Sequence, residues 1–236
     1  VRADLDLPWR TVLFDLDGTL ADTAPDLYAA QVALSREHGL EPMPFDAVRN
    51  HVSHGSSALV KLAFPQAEGE QFEELRARFL EIYAQNLFLD TELFPGMETL
   101  LAWLESRGLN WGVVTNKPAF LTDPLMASLG LTERAACIVS GDTVKERKPH
   151  PLPMWHACEL AGSRPVECLY VGDAERDIQA GRAAGMATLI ALYGYIDESQ
   201  RPQAWGADGM IREPRQILDW MLGTHEPVPV AQERQS

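Results

Sequence analysis

The run Thr11-Val12-Leu13-Phe14-Asp15-Leu16-Asp17-Gly18-Thr19-Leu20 constrains this chain more than any other stretch. Val12 to Phe14 with Leu16 read as a short buried strand, yet two aspartates stand at its exit and a Gly-Thr turn follows. Burying unpaired carboxylates costs several kcal/mol or more unless a cation or hydrogen-bond donors meet them, so a strand that ends in Asp-x-Asp implies that something binds there. The two-residue repeat of a strand puts Asp15 and Asp17 on one side. The same residues also suit an ordinary turn, with Thr19 or Asp22 capping the next helix.

Downstream, the pattern separates into two parts. From Pro25 to Leu89 it is helical throughout: a helix to about His38 stopped by Gly39, then helical stretches at 44–50, 56–64 and 70–89, the last with Phe72, Leu75, Phe79, Ile82 and Tyr83 at three- and four-residue steps. After the turn Phe94-Pro95-Gly96, helices and strands alternate: helix 97–107, strand 109–115, helix 119–129, strand 136–140, helix 152–161, strand 168–171, helix 175–184, strand 187–192 and a last helix near 214–222. That rhythm predicts an α/β fold, a parallel sheet with helices on both faces, and such sheets bind ligands at the carboxyl ends of their strands. The expected division is a Rossmann-like core of 11–22 and 92–223, an all-helical insert of 23–91, and flexible termini at 1–10 and 224–236.

Three later strand exits carry polar residues. Thr115 and Asn116, in Val113-Val114-Thr115-Asn116-Lys117-Pro118, can donate to phosphate oxygens, or can simply end a strand before a helix. Lys148 precedes Pro149 in a cationic cluster; it can set a point charge at a phosphate beside a helix N-terminus, or can be a solvated loop residue. In Val171-Gly172-Asp173-Ala174-Glu175-Arg176-Asp177, the acids Asp173 and Asp177 are four apart and can face one opening if a helix starts near Ala174, or can serve as helix-capping acids.

In this order, Asp-x-Asp-Gly-Thr, strand-final Thr, Lys-Pro and Gly-Asp-x-x-x-Asp resemble the motif set of the haloacid dehalogenase superfamily, from about Thr11 to Leu222. The helical insert resembles the small cap of its phosphoglycolate phosphatase-like branch. The runs Tyr83–Leu87, Trp111–Pro118, Tyr193–Ile196 and Trp205–Asp208 are also similar to the N-acetylmuramic acid 6-phosphate phosphatases of cell-wall recycling. The resemblance implies a phosphatase that acts on a small phosphomonoester, 2-phosphoglycolate or N-acetylmuramic acid 6-phosphate, as a monomer or homodimer. It makes Asp15 the nucleophile and Asp17 the acid and base, with Thr115 and Lys148 completing the catalytic set. Mg²⁺ would be held by Asp15, the main-chain carbonyl of Asp17 and Asp173, with Asp177 in support. Thr19, Asn116 and Lys148 would bind the phosphate, and His54 and Gly55, in the polar break between insert helices, would read the rest of the substrate. A sugar phosphomutase of the same fold and a non-catalytic module that binds phosphorylated metabolites remain as alternatives.

Composition bears on partners and setting. Thirty-four acidic against twenty basic residues give a formal charge of −14, which argues against nucleic acid and anionic membrane surfaces as partners. An anionic substrate then needs a local cationic site. Cys137, Cys158 and Cys168 match no metal or redox spacing and are expected as reduced core residues. With no apolar run of membrane length and no basic-then-apolar leader, the expected setting is cytoplasmic.

Overall fold

A computed structural model describes residues 7–224. Most of the two stretches expected to be flexible, 1–10 and 224–236, lies outside that range. The core is a sheet of six strands, every neighbouring pair parallel: β1 (Thr11–Phe14), β4 (Asn110–Val114), β5 (Cys137–Val139), β6 (Cys168–Gly172), β7 (Ala187–Ala191) and β8 (Gly209–Ile211). Their order is β5-β4-β1-β6-β7-β8, so β1 lies inside the sheet with β4 and β6 on its two sides.

Alternation along β1 divides the apolar core between the two faces. Val12 and Phe14 join a cluster with Leu100, Leu104, Leu125 and Ile217, from α5 (Met97–Ser106), α6 (Ala119–Ser128) and α9 (Gln216–Met221). Leu13 joins Met154, Ala157 and Ala180 on the other face, from α7 (Leu152–Ala161) and α8 (Glu175–Ala184). A strand covered on both sides explains a sequence that is apolar throughout rather than alternating. The three cysteines are buried, free and packed on this second face.

Between β1 and α5 the chain leaves the sheet. A two-stranded antiparallel ribbon pairs β2 (Ala21–Asp22) with β3 (Glu92–Leu93), so the outgoing and returning segments run side by side. Beyond it lie α1 (Ala24–Glu37), α2 (Phe45–Arg49), a 3-10 turn at Val52–His54, α3 (Gly55–Ala63) and α4 (Gly69–Gln85). Leu27, Ala30 and Leu34 of α1 are buried, as are Leu75, Phe79, Ile82 and Tyr83 of α4. Asp26 ties the two ends of this insert together: its buried carboxylate accepts the backbone N–H groups of Leu89, Asp90 and Thr91 and the Thr91 hydroxyl at 2.7–3.2 Å. That clasp is why α4 stops at Gln85 rather than running to residue 89, because the backbone of 89–91 is committed to Asp26.

The sequence reading had no strand at β2, β3 or β8, each only two or three residues long. Among the described residues, no helix is long and apolar enough to cross a membrane.

Candidate active site

The register of β1 against both neighbours brings the strand exits together. Phe14 is level with Val113 of β4 and Val171 of β6, so Asp15, Thr115 and Asp173 emerge at one edge of the sheet. The strand ends at Phe14, so pleat alternation does not govern Asp17; Asp15 and Asp17 nevertheless open on one cleft. Lys148 comes from the loop after β5 and is 3% exposed. Its Nζ lies 2.9 Å from Asp15 Oδ1 and 2.7 Å from Asp177 Oδ1, and it donates to the Val114 carbonyl and the Tyr170 hydroxyl. The helix α7 begins at Leu152 rather than directly after Lys148, so the lysine acts here through its own charge and not in company with a helix N-terminus.

Asp15, Asp173 and Asp177 are all buried and offer one oxygen each within 4.8 Å of one another. Asp173 Oδ2 accepts the Tyr195 N–H at 2.8 Å and the Ser53 hydroxyl at 2.6 Å. The Ala174 N–H, at the start of α8, donates to Asp177 Oδ2 at 2.9 Å, so the first turn of that helix holds the third acid in place. Burial, then the charges of Asp15 and Asp177, push the Asp173 carboxyl up to about 7. Burial also raises Asp177, although the Lys148 charge opposes it. Lys148 and Arg176 leave this cluster with surplus negative charge. Hard carboxylate oxygens around that surplus fit a divalent cation of the oxygen-loving kind.

Two glycines make room for Asp173. A side chain on Gly18, whose φ is +84°, would put its Cβ 2.2 Å from Asp173 Oδ2, and one on Gly194 would fall 2.4 Å from Asp173 Cβ. Both positions require close approach of backbone to carboxylate.

The Asp17 carboxylate stands apart from the three acids. Its Oδ1 accepts from the Thr23 hydroxyl at 2.6 Å and from Lys117 Nζ at 2.9 Å. Lys117 also donates to the Tyr83 hydroxyl at 2.9 Å and lies over that ring, 4.5 Å from its centroid. Burial draws the lysine toward losing its proton, but Asp17 and Tyr83 outweigh it and hold the pKa above the ordinary lysine value. Burial pushes the Tyr83 hydroxyl up to about 12, against the pull of Lys117.

A cleft of about 550 Å³ lies between sheet edge and insert. Asp15, Asp17, Thr115, Asn116 and Lys117 line its core side. His54, Gly55, Ser56, Phe79 and Tyr83 line its insert side. His54 and Gly55 therefore stand where an insert residue can meet a substrate. Partial desolvation at the cleft, then Arg176 and His51, lower the His54 pKa below the ordinary histidine value.

Two expected phosphate contacts also bond within the protein. The Asn116 side chain closes on the Lys148 backbone, donating to its carbonyl and accepting its N–H at 3.0 Å each, so it fixes the lysine loop while the residue also lines the cleft. Thr19 is fully buried with its hydroxyl 3.5 Å from Asp173 Oδ1, behind the acid cluster. Lys117, Tyr83, Ser53, Arg176 and Tyr195 had no assigned role in the sequence reading. Lys117 follows the two residues singled out there; the others reach the site only through tertiary packing.

Comparison with known proteins agrees with this geometry. Residues 12–191 match the model of the family described as haloacid dehalogenase-like hydrolase. A phosphoglycolate phosphatase of Xylella fastidiosa (strain Temecula1) is 43% identical over 87% of this chain and 90% of its own length. An N-acetylmuramic acid 6-phosphate phosphatase of Pseudomonas putida is 44% identical over 90% of this chain and 97% of its own. A crystal structure described as a predicted phosphoglycolate phosphatase from Haemophilus somnus superposes with a TM-score of 0.81 at 28% identity, over 90% of this chain and 98% of that one.

Proposed function

The chain belongs to the haloacid dehalogenase-like hydrolase family and is a phosphatase, and from that premise we propose an Mg²⁺-dependent phosphomonoesterase whose substrate is a sugar acid phosphate, N-acetylmuramic acid 6-phosphate. The observation that carries the reaction class is the group of Asp15, Asp173, Asp177 and Lys148 at one sheet edge, with Asp17 beside them. Residues 23–91 act as a cap on a catalytic core of 11–22 and 92–223.

Asp15 is the nucleophile. Its carboxylate oxygen bonds to phosphorus as the bond from phosphorus to the alcohol oxygen breaks, and Asp17 gives its proton to that oxygen. Asp17, now a carboxylate, takes a proton from water; the water oxygen bonds to phosphorus, inorganic phosphate leaves and the Asp15 carboxylate is restored. Lys148 holds Asp15 in place and offsets charge on the phosphoryl oxygens, while Thr115 offers them a hydroxyl. Asp15, Asp173, Asp177 and the main-chain carbonyl of Asp17 would hold Mg²⁺. When bound, the ion neutralises phosphoryl charge that otherwise repels a carboxylate 4 Å away by about 4 kcal/mol at an effective dielectric near 20.

The cleft size supports the larger substrate. At about 550 Å³, with Phe79, Leu80 and Leu27 on its insert side, it suits a hexose whose acetamido and lactyl groups present methyls better than a two-carbon acid. The names of close relatives also support 2-phosphoglycolate, the second reading. Phosphate release measured with Mg²⁺ and again with EDTA, on the two compounds at matched concentrations, tests both. Faster EDTA-sensitive release from the sugar phosphate is expected. Preference for 2-phosphoglycolate transfers the assignment to the second reading, and no Mg²⁺-dependent release from either discards both.

A further inference from the structure

Tyr83 lies on the insert, distant in sequence from every acid of the site, yet its hydroxyl is one hydrogen bond away from Lys117 and two from Asp17. The backbone of Lys117 is pinned: its N–H donates to Thr115 Oγ1, and its carbonyl accepts from Gly141 N and Thr122 Oγ1. Its ammonium is buried and has three N–H donors. One goes to Asp17, one to Tyr83, and the residue lines the cleft. Both hydrogen bonds to the Asp17 carboxylate, from Lys117 and Thr23, fall on Oδ1. Among the described residues Oδ2 takes none, so it is the oxygen left to carry a proton.

We infer that Lys117 and Tyr83 are positioning residues for proton transfer: Tyr83, on the cap, holds the Lys117 ammonium on Asp17 Oδ1 and so presents Oδ2 to the leaving oxygen of the substrate. The inference rests on the reading of Asp17 as the acid. It makes the protonation step depend on how the insert is seated, through one side chain that touches no phosphoryl group. Thr23 stands at the start of α1 and contributes the second anchor. Asp17 is thus gripped on one oxygen by the core loop after β4 and by the entry to the insert, and Tyr83 fixes the first of these holds from the insert.

General-acid help matters most when the leaving alcohol is a poor one, and hardly at all when it departs readily as an anion. The test is single-turnover release of the alcohol from a series of phosphomonoesters, from sugar and alkyl to nitrophenyl, in the wild-type protein with Mg²⁺ and in Tyr83→Phe and Lys117→Gln. Tyr83→Phe keeps the buried ring. Expected losses on the alkyl substrates are about tenfold for Tyr83→Phe and about 100-fold for Lys117→Gln, with losses below about threefold on the most activated ester, so that the rate depends more steeply on leaving-group acidity. The activated ester also reports that each variant is folded and holds a working nucleophile. A dependence as shallow as that of the wild-type protein in both variants overturns the inference. Asp17→Asn, measured alongside, separates the two levels: a steeper dependence there with none in the other two removes only the positioning role, while an unchanged dependence in all three removes the acid role of Asp17 as well.

Discussion

The two sides of the cleft are built from different kinds of contact. On the core side, charges face charges in a dry setting: Asp15, Asp177 and Lys148 are 0–3% exposed and lie within 3 Å of one another across the two ion contacts. On the insert side, single hydrogen bonds do the joining: Ser53 to Asp173, Arg176 to the Ser53 carbonyl, Arg49 to the Gly194 carbonyl. Breaking a buried ion pair costs about 3–5 kcal/mol, whereas a hydrogen bond with one charged partner contributes about 1.5–3 kcal/mol net. The core side is therefore fixed on the scale of the whole fold's stability. The insert side is held by weaker polar contacts, beside apolar packing that puts Leu27, Val52 and Phe79 in one cluster with Leu121 and Leu125 of the core.

Substitutions on the two sides should differ in the same way. Asp15→Asn is expected to lower turnover by at least about 10⁴-fold, the range for loss of a covalent nucleophile. Its melting temperature should not fall, because the change removes charge from a cluster with a surplus; retained turnover in a steady-state phosphate assay would reject the mechanism. Lys148→Met strips Asp15 and Asp177 of their common cation. About 3–5 kcal/mol of stability should be lost in a urea titration, with turnover down about 10³-fold.

Across the cleft, Ser53→Ala removes one bond between insert and core. Catalytic efficiency, kcat/KM, on the sugar phosphate should fall about five- to tenfold and stability by about 1.5–3 kcal/mol. A loss as large as that of Lys148→Met would erase the distinction between the two sides. The smallest effect concerns His54, which faces Arg176, His51 and Asp197. Its folded pKa lies below the unfolded value near 6.5, so as pH falls through that value the unfolded chain takes up the proton first and stability declines. His54→Gln should therefore melt at a temperature that changes less between pH 7 and pH 5 than that of the wild-type protein. An equal or larger change would show that the imidazole titrates freely.

Legibility in the sequence follows the same boundary. Asp15, Thr115 and Asp173 stand out because an apolar strand that ends in a polar or charged group is a local signal with a desolvation cost attached, Lys148 because it precedes a proline in a cationic cluster, and Asp177 because it follows Asp173 by four residues. The α/β rhythm is equally local, so strand order and the three-residue β8 aside, the core is visible from residues alone. The contact of Asn116 with the Lys148 backbone joins residues 32 apart and follows from no spacing rule. The burial of Thr19 beside Asp173, 154 residues on, is likewise a product of the tertiary fold. Lys117, Tyr83 and Ser53 act through partners far off in sequence, and no spacing rule connects Tyr83 to Asp17. Tyr195 adds a backbone amide, which any residue type would supply.

The parallel pairing of β1 has a consequence for how the protein is made. Thr11 must meet Asn110 on one side and Cys168 on the other. The helices α1 to α4 are synthesised in between, and their mutual packing together with the Asp26 clasp needs no residue beyond Thr91. On the ribosome, the insert can therefore assemble while the strand that leads to the nucleophile still has both edges bare. Exposed apolar edges are templates for pairing with other chains. Any chain that stops before Cys168 leaves at least one edge of β1 bare, and one that stops before Asn110 leaves both, so exposure of this strand ends only with the synthesis of β6.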